Sequence, residues 1–265
     1  MVAVAAPIFI LAVLSLNIRF QFLSLGFWIN TFEKGNVYSQ ISENVENRLV
    51  SRVVAEGGGK NDIALLSNLI SPDSLKNFSE KNIKNILLYA NGKSPQIMIF
   101  TPVPLGKIPE GFGKNNLEDF SEEIPLTDFL KGFDISGIKE SDIQAVSNFG
   151  TWAWILTFGS FSLLLLVLAL AYLATDPGRH LVTPGMALIL PGIFMLTAYL
   201  AGSFAGRVLT EEFRQSTNIG TSLAAIVVPP VIQNVARIWI FLGASAFVSG
   251  VLLFFLKKPV YNDPK

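Results

Sequence analysis

No cysteine occurs among the 265 residues, and His180 is the only histidine. The first absence excludes disulfides, thiolate metal sites and a cysteine nucleophile, and the second removes most zinc sites and histidine-based catalysis. Charge is scarce as well: Asp, Glu, Lys and Arg make up 15% of the chain, against about 25% in an average soluble domain. Twenty basic residues balance twenty acidic ones, so no bulk attraction to nucleic acid is expected. Apolar residues take the place of charge, at 51% of the chain and a mean hydropathy of +0.48. This is the composition of a protein whose main solvent is the lipid bilayer.

A membrane-crossing helix needs about 20 mostly apolar residues. Trp152–Thr175, Pro184–Gly206 and Ile238–Leu256 qualify without an internal charge. Trp152 and Trp154 mark one interface of the first of these and Tyr172 the other. The amino-terminal run is shorter, since Val2–Leu16 rises only about 22 Å as a helix, less than the ~30 Å hydrocarbon core. Continued to Phe27 it spans, with Arg19 snorkelling toward the headgroups. The run lacks both a basic leader and a small-x-small cleavage site, so an uncleaved anchor is expected and a start codon farther upstream is left open. Arg179, Lys257, Lys258 and Lys265 lie beside the same membrane face, which predicts both termini in the cytoplasm.

The fold class expected is a mainly α integral membrane protein. Four transmembrane helices stand in one-plus-three order, with a mostly helical extracytoplasmic domain between the first and second. The expected divisions are an anchor at 1–29, a soluble domain at 30–149 and a three-helix bundle at 150–258, followed by a cytoplasmic tail at 259–265. The bundle includes an outer connection at 207–234. There, Thr210 with Glu211 and Glu212 reads as a helix start. Gly220–Gln233 reads as an interfacial segment broken by Pro229 and Pro230, with Pro230 opening the last helix.

Residues 31–148 hold 12 basic and 16 acidic residues, a net charge of −4. Val37, Ile41, Val45, Leu49 and Val53 recur every four residues and predict a helix ending near Ala55, where Gly57, Gly58 and Gly59 follow. A short helix is expected through Ile63, Leu66 and Ile70. Ser71 as cap, Pro72 at the first helical position and Asp73 in the first turn open another helix. Its buried stripe is Leu75, Phe78, Ile86, Leu87 and Ala90, and Asn91-Gly92 ends it. Gln96–Thr101 reads as a strand whose partner the pattern does not identify, and an unpaired edge would be an association surface. Pro102–Gly113 is too rich in proline and glycine for regular structure, while Asn116–Glu123 and Leu126–Gly132 read as short helices.

Several motifs touch known chemistries without completing them. Gly59-Lys60 would end a phosphate loop, but Val54 stands at its first glycine position and Asn61 follows the lysine. Ser136 and Lys139 match the spacing of serine acyl-transfer enzymes, whose other elements are missing. Gly220, Ser222 and Ala224 approach a nucleophile elbow with no histidine partner on that side. The acidic run Glu118, Asp119, Glu122, Glu123 and Asp128 lacks calcium-loop spacing. Asp176, Arg179 and His180 share a turn whose chemistry is that of a turn. No cofactor, catalytic residue or metal ligand is expected from these patterns.

The membrane helices carry the stronger signals. Ala198, Gly202 and Gly206 recur every four residues, and Ala246 and Gly250 repeat the spacing, which lets helix backbones approach closely in lipid. Pro191 and Gly192 are expected to kink the third helix. Broken helices can line transport sites, but ionisable residues are missing from the last three spans, which counts against an ion-coupled carrier. The one-plus-three layout is similar in topology to the permeases of MacB-type and cell-division ABC systems. Those permeases engage an ATPase through a charged helical segment, and here only the turn around Arg179 stands in its place. Claudin-like proteins share the layout, and their tryptophan and cysteine signature is absent.

The reading that results is a non-enzymatic multi-pass protein. Its outer domain binds an envelope partner, or the chain is one subunit of a membrane assembly, with the bilayer and a protein partner or second copy as neighbours. A passive channel or export-complex component is the alternative, and a membrane-bound hydrolase comes third. A lysine- and asparagine-rich outer surface without disulfides points to a prokaryotic cytoplasmic membrane. Asn77-Phe78-Ser79 fits a glycosylation sequon but falls inside a predicted helix.

Overall fold

The computed structural model describes residues 2–55, 59, 67, 70–102, 121–128, 140–176, 180–214 and 219–256. Helix dominates. In chain order the elements are α1 (Val2–Leu16), a π-helical segment (Asn17–Phe22), α2 (Leu25–Lys34), α3 (Val37–Ala55), α4 (Pro72–Ala90), β1 (Met98–Pro102) and β2 (Ser121–Pro125). They continue with α5 (Glu140–Ser147), α6 (Phe149–Leu173), α7 (Val182–Arg214) and α8 (Ile219–Phe255). Among the described residues four stretches are long and apolar enough to cross a membrane: Val4–Phe22, Phe149–Leu173, Val182–Phe204 and Thr221–Phe255. The chain divides into two compact units, one of Met1–Gln21, Trp152–Gln215 and Val231–Lys265, the other of Phe22–Thr151 and Ser216–Pro230.

Three expectations about the membrane helices need correction. The first helix does not run on to Phe27. It widens into the π segment at Asn17, stops after Phe22, and restarts at Leu25. Ser24 there is extended, with φ −108° and ψ 122°, and the Trp28 indole donates to the Phe22 carbonyl at 2.9 Å, satisfying a group that the stop leaves open. Secondly, Thr210, Glu211 and Glu212 do not begin a helix but continue α7 to Arg214. Thirdly, Gly220–Gln233 is no broken interfacial piece, because α8 passes through Pro229 and Pro230 without interruption.

Each proline in α8 removes an N–H from the helical ladder and crowds the carbonyl four residues earlier, a cost of about 3 kcal/mol in an ordinary helix. Close packing surrounds this stretch. Ala225 and Ile226 are buried, and Pro230 sits so close to Gly35 that a β-carbon there would fall 2.7 Å from the proline Cγ. Membrane proteins keep such prolines where neighbouring groups re-satisfy the backbone. The boundary between the two units falls directly after Pro230.

In the second unit α4 is the hub, packing against α2, α3, α5 and β1. Its termini follow the sequence reading: Ser71 Oγ accepts from the Ser74 amide at 3.4 Å, Pro72 opens the helix, and Asn91 closes it. Gly92 adopts φ +67°, where a β-carbon is disfavoured. Leu87, Tyr89 and Ala90 are buried, whereas Ile86, expected inside, is exposed. Helix α3 ends at Ala55 as the four-residue spacing predicts, with Val37 fully buried. An aromatic chain links Phe27, Trp28, Phe32 and Tyr38 at ring separations of 5.5–5.8 Å.

The partner of β1 is β2, antiparallel, with Ile99 opposite Ile124 and Phe100 opposite Glu123. The helix expected over Asn116–Glu123 is therefore wrong at Ser121–Glu123. Ser-Glu-Glu has little preference for strand, and the backbone of β1 supplies what local preference does not. Leu126–Asp128 begins a helical turn, and the rest of that expected helix lies outside the described residues. So do the phosphate-loop lookalike apart from Gly59, the helix expected around Ile63, and the segment Pro102–Gly113 beyond Pro102.

The outer edge of β1 is closed by a side chain. Phe100 donates its amide to Asn82 Oδ1 at 2.8 Å, and Asn82 Nδ2 donates to the Phe100 carbonyl at 3.2 Å. One α4 carboxamide thus makes the pair of bonds that a third strand would make, which protects the edge.

Candidate functional site

Within the membrane unit, α1 and its π extension meet each of the other three spans. Helix α1 packs along α7. Ser15 Oγ lies 3.4 Å from Ser160 Oγ of α6, and Gln21 Nε2 donates to the Asn234 carbonyl of α8 at 3.3 Å. Among the named side chains here, Ser15, Asn17, Gln21, Thr157 and Ser160 are all buried. The hydroxyls are satisfied locally: Ser15 donates to the Ala12 carbonyl at 2.8 Å, and Thr157 to the Ala153 carbonyl at 2.7 Å.

The carboxamides are different. Asn17 is 2% exposed, and neither its Oδ1 nor its Nδ2 has a hydrogen-bond partner. Gln21 Oε1 and Trp239 Nε1 are also buried without one. An unsatisfied buried polar group costs about 1–3 kcal/mol. Asn17 and Gln21 fall one turn apart in a π-helix, the wide-turn form that recurs at functional sites. The segment thus has a polar inner side at Asn17 and Gln21.

Its other side faces α6. The Arg19 guanidinium carbon stands 4.6 Å from the centre of the Trp154 ring, and Phe20 meets the same indole edge-on at 6.1 Å. Trp154 in turn stacks on Phe158, with centroids 4.9 Å apart and planes 7° from parallel. Arg19 and Arg237 are the only charged residues in the four spans, which contain no Asp or Glu.

Close contact between α7 and α8 uses Gly250 of the four-residue stripes together with glycines outside them. A β-carbon on Gly250 would stand 2.6 Å from the Gly185 carbonyl oxygen, and one on Gly192 would stand 2.8 Å from the Phe247 amide nitrogen and 2.9 Å from the Gly243 carbonyl. Helices α7 and α8 therefore touch backbone to backbone at Gly185, Gly192, Gly243 and Gly250. Pro191 is fully buried and Ala246 is 7% exposed in the same contact region, and α7 stays helical through Pro191 and Gly192. By contrast, a β-carbon on Gly202 would meet nothing within 4 Å among the described residues. Ala198 is half-buried and Ala201 exposed, while the surroundings of Gly206 lie outside the described residues.

The remaining sequence candidates fall apart in space or have simple roles. Ser222 is buried, accepting from Arg48 Nη2 at 3.2 Å and lying 3.5 Å from Asn44 Oδ1. His180 Nδ1 lies 2.8 Å from the Tyr172 carbonyl. Glu122 and Glu123 belong to β2, with Asn85 Nδ2 donating to Glu123 at 3.0 Å. Among the described residues no three His, Asp or Glu side chains come together as a metal site would need. Ser136, Lys139, Glu118, Asp119 and Arg179 lie outside the described residues.

Sequence reasoning placed Arg19 near the surface and passed over Asn17 and Gln21. Their spacing of four was a usable signal, since it puts both carboxamides on one side of a helix that must cross lipid. No family of proteins, no curated protein and no solved structure matches this chain.

Proposed function

We propose that this protein is a non-enzymatic subunit of a membrane assembly in a prokaryotic cytoplasmic membrane. In this reading both termini are cytoplasmic, and residues 30–149 form an extracytoplasmic domain that engages an envelope partner. The observation that supports it is the split use of small residues along α7. At Gly185 and Gly192 the helix packs its glycines on α8, whereas beside Gly202 a β-carbon would meet none of the described residues within 4 Å. Small residues at such positions give lipid no packing advantage, but they let another helix come close enough for extended van der Waals contact.

The cysteine-free sequence makes the test direct. A single cysteine at Ala201 or Gly202, oxidised or treated with a short bifunctional reagent in native membranes, is expected to yield one adduct of defined mass. A cysteine at Leu173, which is 72% exposed on α6, controls for random collision. Equal, weak crosslinking at all three positions would remove the support for an assembly.

A further inference from the structure

We propose that the free edge of β2 is a docking site for an extended, lysine- or arginine-rich strand of another protein. The inference deepens the partner-binding role proposed for residues 30–149 and rests on it.

The phase of the pairing fixes which groups the edge offers. Leu126 donates its amide to the Ile97 carbonyl at 2.9 Å. With the register of β1 and β2, the residues bonded across the pair are then Ile97 with Leu126, Ile99 with Ile124, and Thr101 with Glu122. The alternate residues turn their backbone groups outward. On β1 these include Phe100, and Asn82 takes both of its groups. On β2 they are Ser121, Glu123 and Pro125. Pro125 has no N–H, so the edge offers amides at Ser121 and Glu123 and carbonyls at all three. Among the described residues the sheet has two strands, and nothing bonds to the Glu123 amide or carbonyl. One edge of the sheet is closed by a side chain, and the other is open.

An open edge is what an added strand pairs with, main-chain bonds supplying affinity and side chains supplying choice. Here charge sets the choice. Glu122 and Glu123 are both exposed, and successive side chains take opposite faces, so an incoming strand meets a carboxylate on either face. Asn85 donates to the Glu123 carboxylate without neutralising it. A second copy of β2 fits badly. Antiparallel pairing centred on Glu122 or Glu123 sets like carboxylates opposite each other, and pairing centred on Ile124 calls on the amide that Pro125 lacks. Charged side chains on an edge ward off copies of the same strand. The same carboxylates favour a basic one, and charge complementarity therefore selects a cationic occupant.

The test titrates a labelled eight-residue peptide of alternating lysine and valine with the full-length protein in mild detergent, at physiological ionic strength, and reads fluorescence anisotropy. The peptide is expected to bind at least 10-fold tighter than its counterpart with glutamate for lysine. It should also bind at least 10-fold tighter than a version with alternate backbone amides N-methylated, which keeps the charge and loses donors. Glu123→Pro removes an outward N–H that β1 does not use, and should lower affinity at least 5-fold while the β1–β2 pair persists. Glu122→Lys with Glu123→Lys should reverse the preference toward the glutamate peptide. Circular dichroism identifies any variant that fails to fold, and the three peptides on wild type then decide. Equal binding of the three, or no binding, would overturn the proposal. So would a disulfide between copies formed from Glu123→Cys, which would make a second copy the occupant. If the peptides fail while cysteines at Ala201 and Gly202 still give one adduct of defined mass, the docking strand is refuted and the assembly stands. Failure of both refutes both.

Discussion

Replacing Gly250 by alanine adds one methyl group to the closest backbone approach made by any glycine among the described residues. Built on the observed backbone, that carbon stands 2.6 Å from the Gly185 carbonyl oxygen, 2.8 Å from Ile189 Cγ1 and 2.9 Å from the Ile189 nitrogen. Two of these three atoms belong to the α7 backbone, so no side-chain rotation relieves the clash. The helices must separate by about 0.8 Å to restore an ordinary contact distance of 3.4 Å. Overpacking of this kind costs about 1–3 kcal/mol. Separation also weakens the Cα–H···O contacts that backbone proximity allows, each worth about 0.5–1 kcal/mol. Alanine regains up to about 1 kcal/mol of helix propensity over glycine, so the informative comparison is with Gly202→Ala. That substitution has the same intrinsic gain and meets nothing within 4 Å among the described residues. Gly250→Ala should therefore be less stable than Gly202→Ala by about 1–3 kcal/mol, which is 5-fold or more in the folded-to-unfolded ratio. Reversible unfolding in mixed micelles of mild and denaturing detergent, followed by circular dichroism, measures the difference. Equal stability of the two variants would refute the backbone contact between α7 and α8.

Two further outcomes concern the other unit. Asn82→Leu removes both bonds to Phe100, which should destabilise by about 1–3 kcal/mol. It also reopens the β1 edge, so association that rises with concentration should appear in sedimentation velocity. Tyr38 has its pKa raised from 10.0 to about 12 by burial first, then by the nearby Glu80 and Glu33 carboxylates. A raised folded pKa means that the stabilising term is complete below pH 10 and is lost as pH climbs toward 12. Alkaline unfolding should thus begin earlier in wild type than in Tyr38→Phe, by a difference of at most about 3 kcal/mol at high pH. Identical alkaline limbs would show that Tyr38 is not held in its neutral form.

Much of the helical architecture was legible because its signals are local. Ser71 and Pro72 open α4, Asn91-Gly92 closes it, and the run Val37, Ile41, Val45 carries α3 to Ala55; all of these act through adjacent backbone. The misreadings share another cause. Ser121–Pro125 becomes a strand only because Met98–Pro102 lies beside it, and nothing in Ser-Glu-Glu-Ile-Pro announces that pairing. Pro229 and Pro230 look like a break, and the local rule is sound in water. What overrides it is a contact with Gly35 from a segment almost 200 residues away in the chain. The π segment was hidden for the same reason, because a hydropathy pattern records that Asn17, Arg19 and Gln21 interrupt an apolar run but not which neighbour each one meets.

The period of the small residues also separates two kinds of contact. Gly185 and Gly192 are seven apart, as are Gly243 and Gly250, and the structure pairs them in antiparallel fashion, Gly185 with Gly250 and Gly192 with Gly243. Seven residues is close to two helical turns, so small residues at that interval keep one seam in contact over a long shallow crossing. The interval of four in Ala198 and Gly202 is the spacing of a steeper, right-handed crossing that brings two helices together over a short stretch. One helix, α7, carries both. Its seven-residue glycines are consumed inside the chain, and a helix already aligned along that seam cannot also cross steeply at Gly202. If another helix uses the four-residue stripe it must approach from a different direction. Crosslinks from Ala201 and Gly202 are then expected to reach a chain other than this one's own α8.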